Sequence, residues 1–217
     1  MKNLLMKEFK LATPVITYLF IGFALMTFLP GYPILCGAFF VCIGIFQGYQ
    51  INKDSNDIMY SILLPVSKSQ VVKAKYLTVA IFQMAAFVLC LLFTLIRMTL
   101  FSNAAVYENN ALMPANFVYL AFALLIFACF NVIFVGGFFK TAYGIGKPFI
   151  LFIVANFIII IAAEVLHYVP GFEWMNAMDF RFMTKQVISF IGALGIYIVF
   201  TVMSCRTSCM RFQKIDL

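Results

Sequence analysis

Phe149–Ile161 reads FILFIVANFIIII, an apolar run that Asn156 alone interrupts with a polar side chain. Eleven of its residues are Phe, Ile, Leu or Val, and each of these favours the centre of a bilayer by about 0.3 to 0.6 kcal/mol. Together they favour insertion by roughly 3 to 7 kcal/mol, and Asn156 costs less than the about 2.5 to 3.5 kcal/mol assigned to a central charge. The run therefore predicts a transmembrane helix.

The rest of the chain has the same character. Its 217 residues are 65% hydrophobic and 11% charged, with a mean hydropathy of +1.04, whereas a soluble domain is about half apolar and a quarter charged. If each span takes about 20 residues, six spans use nearly the whole chain and leave no room for a separate catalytic domain. We predict a single all-α membrane domain, residues 1–217, whose six transmembrane helices are Pro14–Leu29, Pro33–Ile51, Leu77–Leu100, Phe117–Phe139, Pro148–Leu166 and Val187–Met203.

Positive charge is gathered on one predicted side of the membrane. Because Lys and Arg accumulate in cytoplasmic loops, we predict that both termini are cytoplasmic and that the protein lies in the cell membrane. The net charge of +7 does not indicate nucleic acid binding, since that requires a basic patch on a soluble face. The opposite side has only Arg97, Arg181 and Lys185. The positive side has the other twelve of the 15 basic residues: Lys2, Lys7, Lys10, Lys53, Lys68, Lys73, Lys75, Lys140, Lys147, Arg206, Arg211 and Lys214.

Two further segments are expected to lie along the membrane surface. Residues 1–12 interleave apolar and charged side chains, which is typical of an interfacial helix, although a simple positive anchor would show the same charges. Residues 166–186 include Pro170, Gly171 and Trp174, and are too polar for a span but too aromatic for free solution. We predict an interfacial segment there, on the outer side.

The longest predicted cytoplasmic stretch, residues 52–76, reads NKDSNDIMYSILLPVSKSQVVKAKY. Its DSND stretch contains good helix caps, and acids suit the positive end of a helix dipole. The pattern predicts a short helix over about 55–64, which Pro65 ends. Ser67 can then cap a second helix that continues into the third span. A plain connecting loop with ordinary cytoplasmic lysines is the alternative.

Two parts of this stretch resemble a family signature. Leu63–Lys68 (LLPVSK), followed by Val71–Leu77 (VVKAKYL), is similar to the LPVSR-x-x-x-V-x-x-K-Y-L motif of ABC-2 family transporter permeases, and Phe139–Gly144 (FKTAYG) is similar to their loop between spans four and five. The motifs cover few residues, whereas the topology is similar over the whole chain. Lys68 stands where the family usually has Arg, which keeps the charge but loses the bidentate geometry. The acids before the short helix are separated, whereas the family has an adjacent pair.

The resemblance implies the ABC-2 type exporter fold, in which an N-terminal interfacial helix precedes six spans. It also implies that the outer segment, residues 166–186, could be re-entrant, since permeases of this family often have short or re-entrant helices there. A cytoplasmic coupling helix between spans two and three then docks on a separate ATPase subunit, so ATP and magnesium are expected in that partner and no cofactor in this chain. It also implies a homodimer or heterodimer with a second permease copy, and export of hydrophobic or amphipathic peptides. The residues implied in ATPase coupling are Asp54, Asp57, Met59, Tyr60, Leu63, Leu64, Pro65, Val66, Ser67 and Lys68.

Candidates for the substrate path are polar and aromatic residues inside the predicted spans. Polar groups there are expected to face helix neighbours or a cavity rather than membrane lipid. Glu164 and His167 lie one helical turn apart and could form an interfacial pair, a substrate gate, or a site for metal or proton chemistry. The aromatic candidates would equally suit plain lipid contact. The set is Phe39, Phe46, Asn131, Asn156, Glu164 and His167.

No catalytic or metal site is predicted in this chain. The Gly146-Lys147 step lacks the earlier glycine of a nucleotide-binding loop. The six cysteines lack paired metal spacing with histidine. We interpret the first four, which lie within apolar segments, as small packing residues, and place Cys205 and Cys209 in a basic cytoplasmic tail. Gly44 and Gly48 are spaced for a close helix contact, although this spacing is common by chance in apolar runs.

Two other functions fit the same composition. A substrate-binding membrane subunit of an energy-coupling-factor-type vitamin importer also has six spans and a separate ATPase, but it would lack the LPVSK loop. A non-transport membrane protein, such as an immunity factor or a sensor partner, is the other alternative. An ATPase partner would favour transport over it.

Overall fold

The computed structural model of the protein describes residues 2–101, 104–108, 112–141, 144–166, 168–178 and 182–215. Throughout these ranges the regular structure is helical, and no strand occurs in them. Two π-helical segments, Glu8–Ala12 and Phe130–Val135, and two 3-10 segments, Gly22–Phe28 and Glu173–Met175, accompany the α-helices. The α-helices are α1 (Lys2–Lys7), α2 (Val15–Ile21), α3 (Cys36–Asp54), α4 (Asp57–Leu63), α5 (Lys68–Leu100), α6 (Ala105–Glu108), α7 (Phe117–Cys129), α8 (Gly136–Thr141), α9 (Gly146–Leu166) and α10 (Met183–Gln213).

Four helical stretches of the described ranges are long and apolar enough to cross a membrane, namely α5, Phe117–Thr141, α9 and α10. Phe117–Thr141 is α7, a π-helical segment and α8 joined end to end. A fifth crossing exists if the bent pair Lys2–Ala12 and Val15–Phe28 is counted as one span. The expected multi-pass membrane protein is therefore supported, whereas six spans remain a prediction.

The first two predicted spans, Pro14–Leu29 and Pro33–Ile51, are not long and apolar enough in the structure to count as single-helix spans. Val15–Phe28 consists of α2, with seven residues, followed by a seven-residue 3-10 segment. α3 has 19 residues, but its second half includes Gln47, Gln50 and Asn52, which lower its hydropathy. Both segments lie against α5, so protein covers part of their apolar surface.

The chain turns sharply where the N-terminal helix ends. Lys2–Ala12 and Val15–Phe28 meet at 93°, and Pro14, in an extended conformation, precedes the second of them. Proline is compatible with a helix start because its missing N–H would have no intrahelical partner there. A right angle of this kind is what a surface helix followed by a helix entering the membrane requires.

α2 and α3 approach each other closely at Gly44 and are in ordinary contact at Gly48. A Cβ added to Gly44 would lie 2.4 Å from the Cβ of Phe20, and one added to Gly48 would lie 3.4 Å from Cδ of Pro14. The Thr17 hydroxyl donates a hydrogen bond of 2.8 Å to the carbonyl of Gly44. The close helix contact predicted from the glycine spacing is therefore present.

α7 is the central helix of the bundle. It is apolar on every side, and its neighbours include α10, α5, α9 and α3. In Phe117–Thr141, 72% of the most apolar stretch is buried, against 22% in α9 and 17% in α10. α9 and α10 therefore present most of their apolar surface outward, to lipid or to another chain.

The two helices predicted in the longest cytoplasmic stretch are present, with a different cap on the first. Ser67 and Gln70 form the reciprocal hydrogen bonds of a capping box at the start of α5, as Ser67 was predicted to do. α4 is slightly shorter than expected, and its N-cap residue Asn56 has a φ of 51° and no side-chain cap bond. The side-chain cap expected from the DSND stretch is therefore wrong: the N-cap residue Asn56 has a left-handed backbone instead of the extended one usual for a capping residue, and Asp57, inside the first turn, binds lysine side chains.

Gly44→Ala is expected to destabilise the protein. The added Cβ would lie 2.4 Å from the Cβ of Phe20, so the helices must separate at a cost of about 1 to 3 kcal/mol. Thermal unfolding of the purified protein in detergent measures this loss. Gly195→Ala is the control, because nothing lies within 4 Å of its added Cβ, and it should leave Tm unchanged or raise it. An unchanged Tm for Gly44→Ala would contradict the close contact.

Candidate functional site

The side chains of α4 divide into two faces. Ile58 and Ser61 are buried, whereas Met59, Tyr60 and Leu63 are exposed, Leu63 by 85%. α4 thus turns an apolar face outward. We call this end of the bundle, where the N-terminal helix, α4 and the first turns of α5 meet, the basic end.

The inner face of α4 is held by four charged side chains from three segments. Lys75 of α5 donates to Glu8 of the N-terminal helix at 3.0 Å and to Asp57 of α4 at 2.9 Å. Lys7 pairs with the same two carboxylates, with Glu8 at 3.2 Å and with the second oxygen of Asp57. Lys7 also donates to the Ser61 hydroxyl at 2.7 Å. Each cation contacts both anions, so the four charges form a closed ring, which we call the ion ring.

The ion ring is almost fully removed from water. The side chains of Lys75 and Glu8 are 3% and 4% exposed, and those of Lys7 and Asp57 are 10% and 9% exposed. Burying a lone charge costs several kcal/mol, but two cations and two anions leave no net charge here. Neutrality therefore permits burial, and removal of one member would leave an uncompensated charge.

The carboxyl group of Asp57 titrates below its usual range. Burial alone would raise its pKa, but Lys75 and Lys7 outweigh burial through their charges and hydrogen bonds and lower the pKa. A lowered pKa in the folded state means that the ionised carboxylate stabilises the fold. This contribution is complete above the pKa of the unfolded chain, about 3.9, and is lost as the pH falls through the folded value.

The other residues implied in ATPase coupling have varied surroundings. Lys68 donates from Nζ to the backbone carbonyl of Ile215 at 2.6 Å, so it ties the start of α5 to the end of α10. Ser67 belongs to the capping box. Of the ten residues implied in ATPase coupling, only Asp57 belongs to the ion ring. Asp54 and Pro65 are exposed, and Leu64 and Val66 are half-buried.

Sequence reasoning missed Lys7, Glu8 and Lys75 as candidate functional residues. In the sequence they are ordinary interfacial or cytoplasmic charges, because their partners lie as far as 50 to 67 residues away along the chain. One signal was available. Lys75 follows Val71 and Val72 at helical spacing and so shares the buried face of α5, where a cation needs a buried partner.

A second polar cluster lies where α5, the π-helical segment after α7 and α10 meet. Gln83 and Asn131 exchange two hydrogen bonds of 3.0 Å between their side-chain amides. Asn131 also donates to Oγ1 of Thr201 at 2.9 Å, and Tyr197 donates to Oε1 of Gln83 at 3.0 Å. These groups satisfy one another across three helices, as expected of polar groups within membrane spans.

Tyr76 extends this cluster toward the basic end. Its hydroxyl is 2.7 Å from Oγ of Ser204 and 2.9 Å from Oγ of Ser208, both in α10. Ser204 donates to the backbone carbonyl of Asn131 at 2.9 Å. Gly136 allows this approach, since a Cβ there would lie 2.9 Å from Oγ of Ser204. A chain of hydrogen bonds thus leads from the start of α5 into the core.

The aromatic path candidates connect α3 to α9. Phe46 stacks on Phe149 with ring centroids 3.6 Å apart. Phe39 contacts Phe152 and Phe157 at centroid distances of 6.0 and 5.7 Å. Phe39 and Phe46 are both half-buried, so part of each ring packs inside the chain and part is accessible from outside it.

The polar path candidates on α9 are less well satisfied. Asn156 is buried, and neither its amide nitrogen nor its oxygen has a hydrogen-bond partner in the described part of the chain. Glu164 accepts a hydrogen bond of 2.8 Å from the backbone N–H of Met113, while its other oxygen is buried without a partner there. His167 lies outside the described residues, so its pairing with Glu164 remains a prediction.

The end of the bundle opposite the basic end is covered by residues 168–178. Asn116 caps α7 and donates to the carbonyl of Met175 at 2.7 Å. Gln186 of α10 donates to the carbonyls of Trp174 and Ala177 at 2.9 and 2.8 Å. This segment therefore lies across the ends of α7 and α10 and is bound to both.

Arg97 is buried at the same end, in the last turn of α5. Its Nη1 donates to the carbonyl of Thr27 at 2.7 Å, and its guanidinium lies 4.0 Å from the ring centroid of Tyr107. The Tyr107 hydroxyl donates to the carbonyl of Phe28 at 2.9 Å. A cation over an aromatic face is an attractive contact, so Arg97 joins α5 to α6 and to the 3-10 segment after α2.

The described ranges contain no group of three His, Cys, Asp or Glu side chains that could hold a metal ion. All six cysteines are free. Cys42 and Cys90 are buried and Cys36 and Cys129 are half-buried, as residues that pack between apolar helices are.

Comparison with known protein families gives one match, to a family described as ABC-2 family transporter protein, over residues 3–213. The chain belongs to the ABC-2 transporter family. It is therefore a membrane permease of an ABC transporter, and this implies an ABC ATPase subunit as its partner. Comparisons with curated proteins and with solved structures give no match.

Membership of the ABC-2 family confirms the resemblance noted in the LPVSK stretch. The matched range includes that stretch and both terminal helices. This favours a permease over the vitamin importer subunit and the non-transport membrane protein that the sequence had left open. It also gives the outer face of α4 a candidate partner.

Asp57→Asn is expected to destabilise this ABC-2 permease by about 3 to 5 kcal/mol, because Lys7 and Lys75 lose a counter-charge while they remain buried. Unfolding of the purified protein at pH 7 measures the difference from the parent. That difference should begin to shrink below about pH 4, where Asp57 of the unfolded parent becomes protonated, and should vanish as the pH falls through the lowered pKa of Asp57 in the folded parent. Asp54→Asn removes an exposed carboxylate and should change stability by about 0.5 kcal/mol or less.

A double variant tests whether the charges of the ion ring interact with one another. Asp57→Asn combined with Lys7→Met restores neutrality, so its destabilisation should be at least about 1 kcal/mol smaller than the sum of the two single effects. Additive effects, or equal effects of Asp57→Asn and Asp54→Asn, would rule out the ion ring.

Proposed function

We propose that this ABC-2 permease is the membrane subunit of an ATP-driven exporter and that α4 is its coupling helix. The observation that carries the proposal is the two-sided character of α4. Its outer face is apolar and exposed, and its inner face is fixed to two other segments by the ion ring. Such a helix can bind a partner and pass on the partner's movement.

The outer face of α4 supports docking of the ATPase subunit. Met59, Tyr60 and Leu63 are 43%, 56% and 85% exposed, and α4 lies outside the candidate membrane spans. Exposed apolar side chains grouped in this way mark contact sites for other proteins. Family membership supplies the kind of partner, an ABC ATPase, and we expect ATP and magnesium to bind there.

The inner face of α4 supports transmission of force to the spans. Asp57 binds Lys7 of the N-terminal helix and Lys75 of α5. A displacement of α4 would separate buried opposite charges unless both of those segments moved with it. We therefore expect the three segments to move as one body when the ATPase subunits close on ATP.

The exporter fold assigns Val15–Phe28 and α3 as the first two of six spans. Both are short or polar for isolated spans, but both pack against α5, which covers part of their surface. With six spans, the two termini lie on the side of the basic end. The positive-inside rule assigns that side to the cytoplasm.

A second permease copy, identical or related, is proposed to complete the export path. α9 and α10 present most of their apolar surface outward, and rocking of two such subunits against each other is a form of alternating access. Apolar and aromatic walls suit hydrophobic or amphipathic peptides as cargo. Phe39 and Phe46, which pack between α3 and α9, lie at the edge of this surface.

Leu63→Asp is expected to reduce ATPase association at least about tenfold, because a carboxylate would have to enter an apolar contact. The fold should tolerate the change, since Leu63 is 85% exposed. Co-purification of the permease with the co-expressed ATPase measures association, and ATPase activity and peptide export are followed in parallel.

Leu100→Asp is the matched control for this experiment. It makes the same chemical change at a residue that is 76% exposed, at the far end of α5 from α4. Unchanged association and export in Leu63→Asp, or an equal loss in Leu100→Asp, would reject α4 as the docking helix.

Single cysteines placed at two exposed sites of a cysteine-free variant test the six-span topology. Val106 is 63% exposed in α6, and Lys140 is exposed at the end of α8. A membrane-impermeant thiol reagent added to intact cells should label Val106→Cys and not Lys140→Cys, and both should react after permeabilisation. Labelling of both in intact cells would overturn the six-span arrangement.

A further inference from the structure

An open groove runs along one side of α10 at the basic end. Its inner part has a volume of about 290 Å³ and lies between α10 and the joined helix of α7 and α8. A second part of about 250 Å³ continues along α10 toward its C-terminal end. Both parts are lined by Thr207 and Arg211, so the two form one continuous surface, which we call the α10 groove.

The chemistry of the α10 groove changes along its length. Its inner part is bordered by Val132, Phe200 and Met203. Its outer part is bordered by Arg211 and Lys214. The surface therefore passes from apolar side chains to two cations within a few turns of one helix.

The two cations of the α10 groove have no counter-charge in the described part of the chain. No described carboxylate lies within ion-pair distance of Arg211 or Lys214. The described acids of the basic end are Glu8 and Asp57, which the ion ring uses, and the exposed Asp54. Among residues 2–215 as described, the groove therefore carries two positive charges without a carboxylate partner, which an anion from outside the chain could neutralise.

The neighbouring face of α10 is already covered by the protein. Gln213 donates to the hydroxyl of Ser69 at 2.8 Å, and Phe212 is fully buried. Lys68 binds the carbonyl of Ile215. The last turns of α10 are thus held against α5 on one side and leave the α10 groove open on the other.

We propose that the α10 groove binds one anionic phospholipid from the membrane leaflet at the basic end. The lipid phosphate would lie between Arg211 and Lys214, with the hydroxyl of Thr207 as a further donor. An acyl chain would follow the apolar wall of Phe200 and Met203. Basic pockets between transmembrane helices on the cytoplasmic side are known binding sites for anionic lipid headgroups.

Charge and shape favour a lipid over other occupants. A free phosphate would use the two cations but not the apolar wall. A second copy of this chain would bring few described carboxylates to this end, since two of the three are held in the ion ring. A phospholipid alone matches a cationic end that continues into an apolar groove open to the side.

Native mass spectrometry of the full chain in detergent tests the proposal with phosphatidylglycerol and phosphatidylcholine of identical acyl chains. We expect phosphatidylglycerol to bind more tightly. Arg211→Gln with Lys214→Gln should weaken its binding on the order of twentyfold, since each cation near a lipid surface contributes about fivefold. Arg211→Lys with Lys214→Arg keeps both charges and should retain most of the binding.

Arg206→Gln is the matched control, because Arg206 is exposed and lines neither part of the α10 groove. It should leave phosphatidylglycerol binding within about twofold of the parent, because salt screens the attraction between the lipid phosphate and an exposed cation outside the groove. Thr207→Trp fills the middle of the groove and should weaken binding of the whole lipid.

Three results would overturn the proposal. The first is equal binding of the two lipids, or an equal loss in Arg206→Gln, which would mean diffuse attraction to the basic surface. The second is displacement of the lipid by glycerol 3-phosphate at equal concentration, which would mean a site for the free phosphate. The third is unchanged lipid binding but a changed oligomeric state in Thr207→Trp, which would mean that a second copy occupies the groove.

Discussion

Two lysines and two carboxylates that share one dry site join three segments of this permease at its basic end. Lys7 and Glu8 come from the N-terminal helix, Asp57 from α4 and Lys75 from α5. Apolar burial is non-directional and therefore specifies the relative position of these helices less strictly than paired charges do. Opposite charges removed from water must meet at about 3 Å, because a buried charge without a partner is strongly unfavourable. The ring therefore fixes the register of the helices on which the candidate docking face depends.

α5 makes polar contacts at three levels of the bundle. Near its start it contributes Lys75 to the ion ring, in its middle it contributes Gln83 to the amide pair with Asn131, and near its end it contributes Arg97 to the contact with Thr27. Each level binds a different set of neighbours. If one end of α5 is displaced, the polar contacts at each of these levels must break or move with it, because their geometry allows few alternative arrangements. A continuous set of contacts of this kind can carry coupling between the two ends of α5, and a measured coupling energy between the ends would demonstrate it.

The helical architecture could be predicted from sequence where the information is local. Phe149–Ile161 predicted α9 because transfer of apolar side chains into lipid depends on those side chains alone, and Ser67 predicted the start of α5 because a cap acts within one turn. The partners of the charges could not be predicted in this way. Asp57 has the sequence neighbours of a capping residue, yet its lysines lie 50 and 18 positions away, and only the packed helices bring them together. The family motif was enough to indicate α4 as a candidate docking site. The ion ring behind α4 could be found only from the structure.

The long sequence separation within the ion ring bears on how the protein is made. Lys75 leaves the ribosome 67 residues after Glu8, its partner. Until then Val15–Phe28 and α3, the first two of the six proposed spans, have neither the charge partner nor the helix that covers them. Biosynthetic insertion of the N-terminal half is therefore expected to be cooperative, with α5 as the element that completes it. A membrane insertase that holds the nascent chain through this interval would act on these two segments before any other part of the permease.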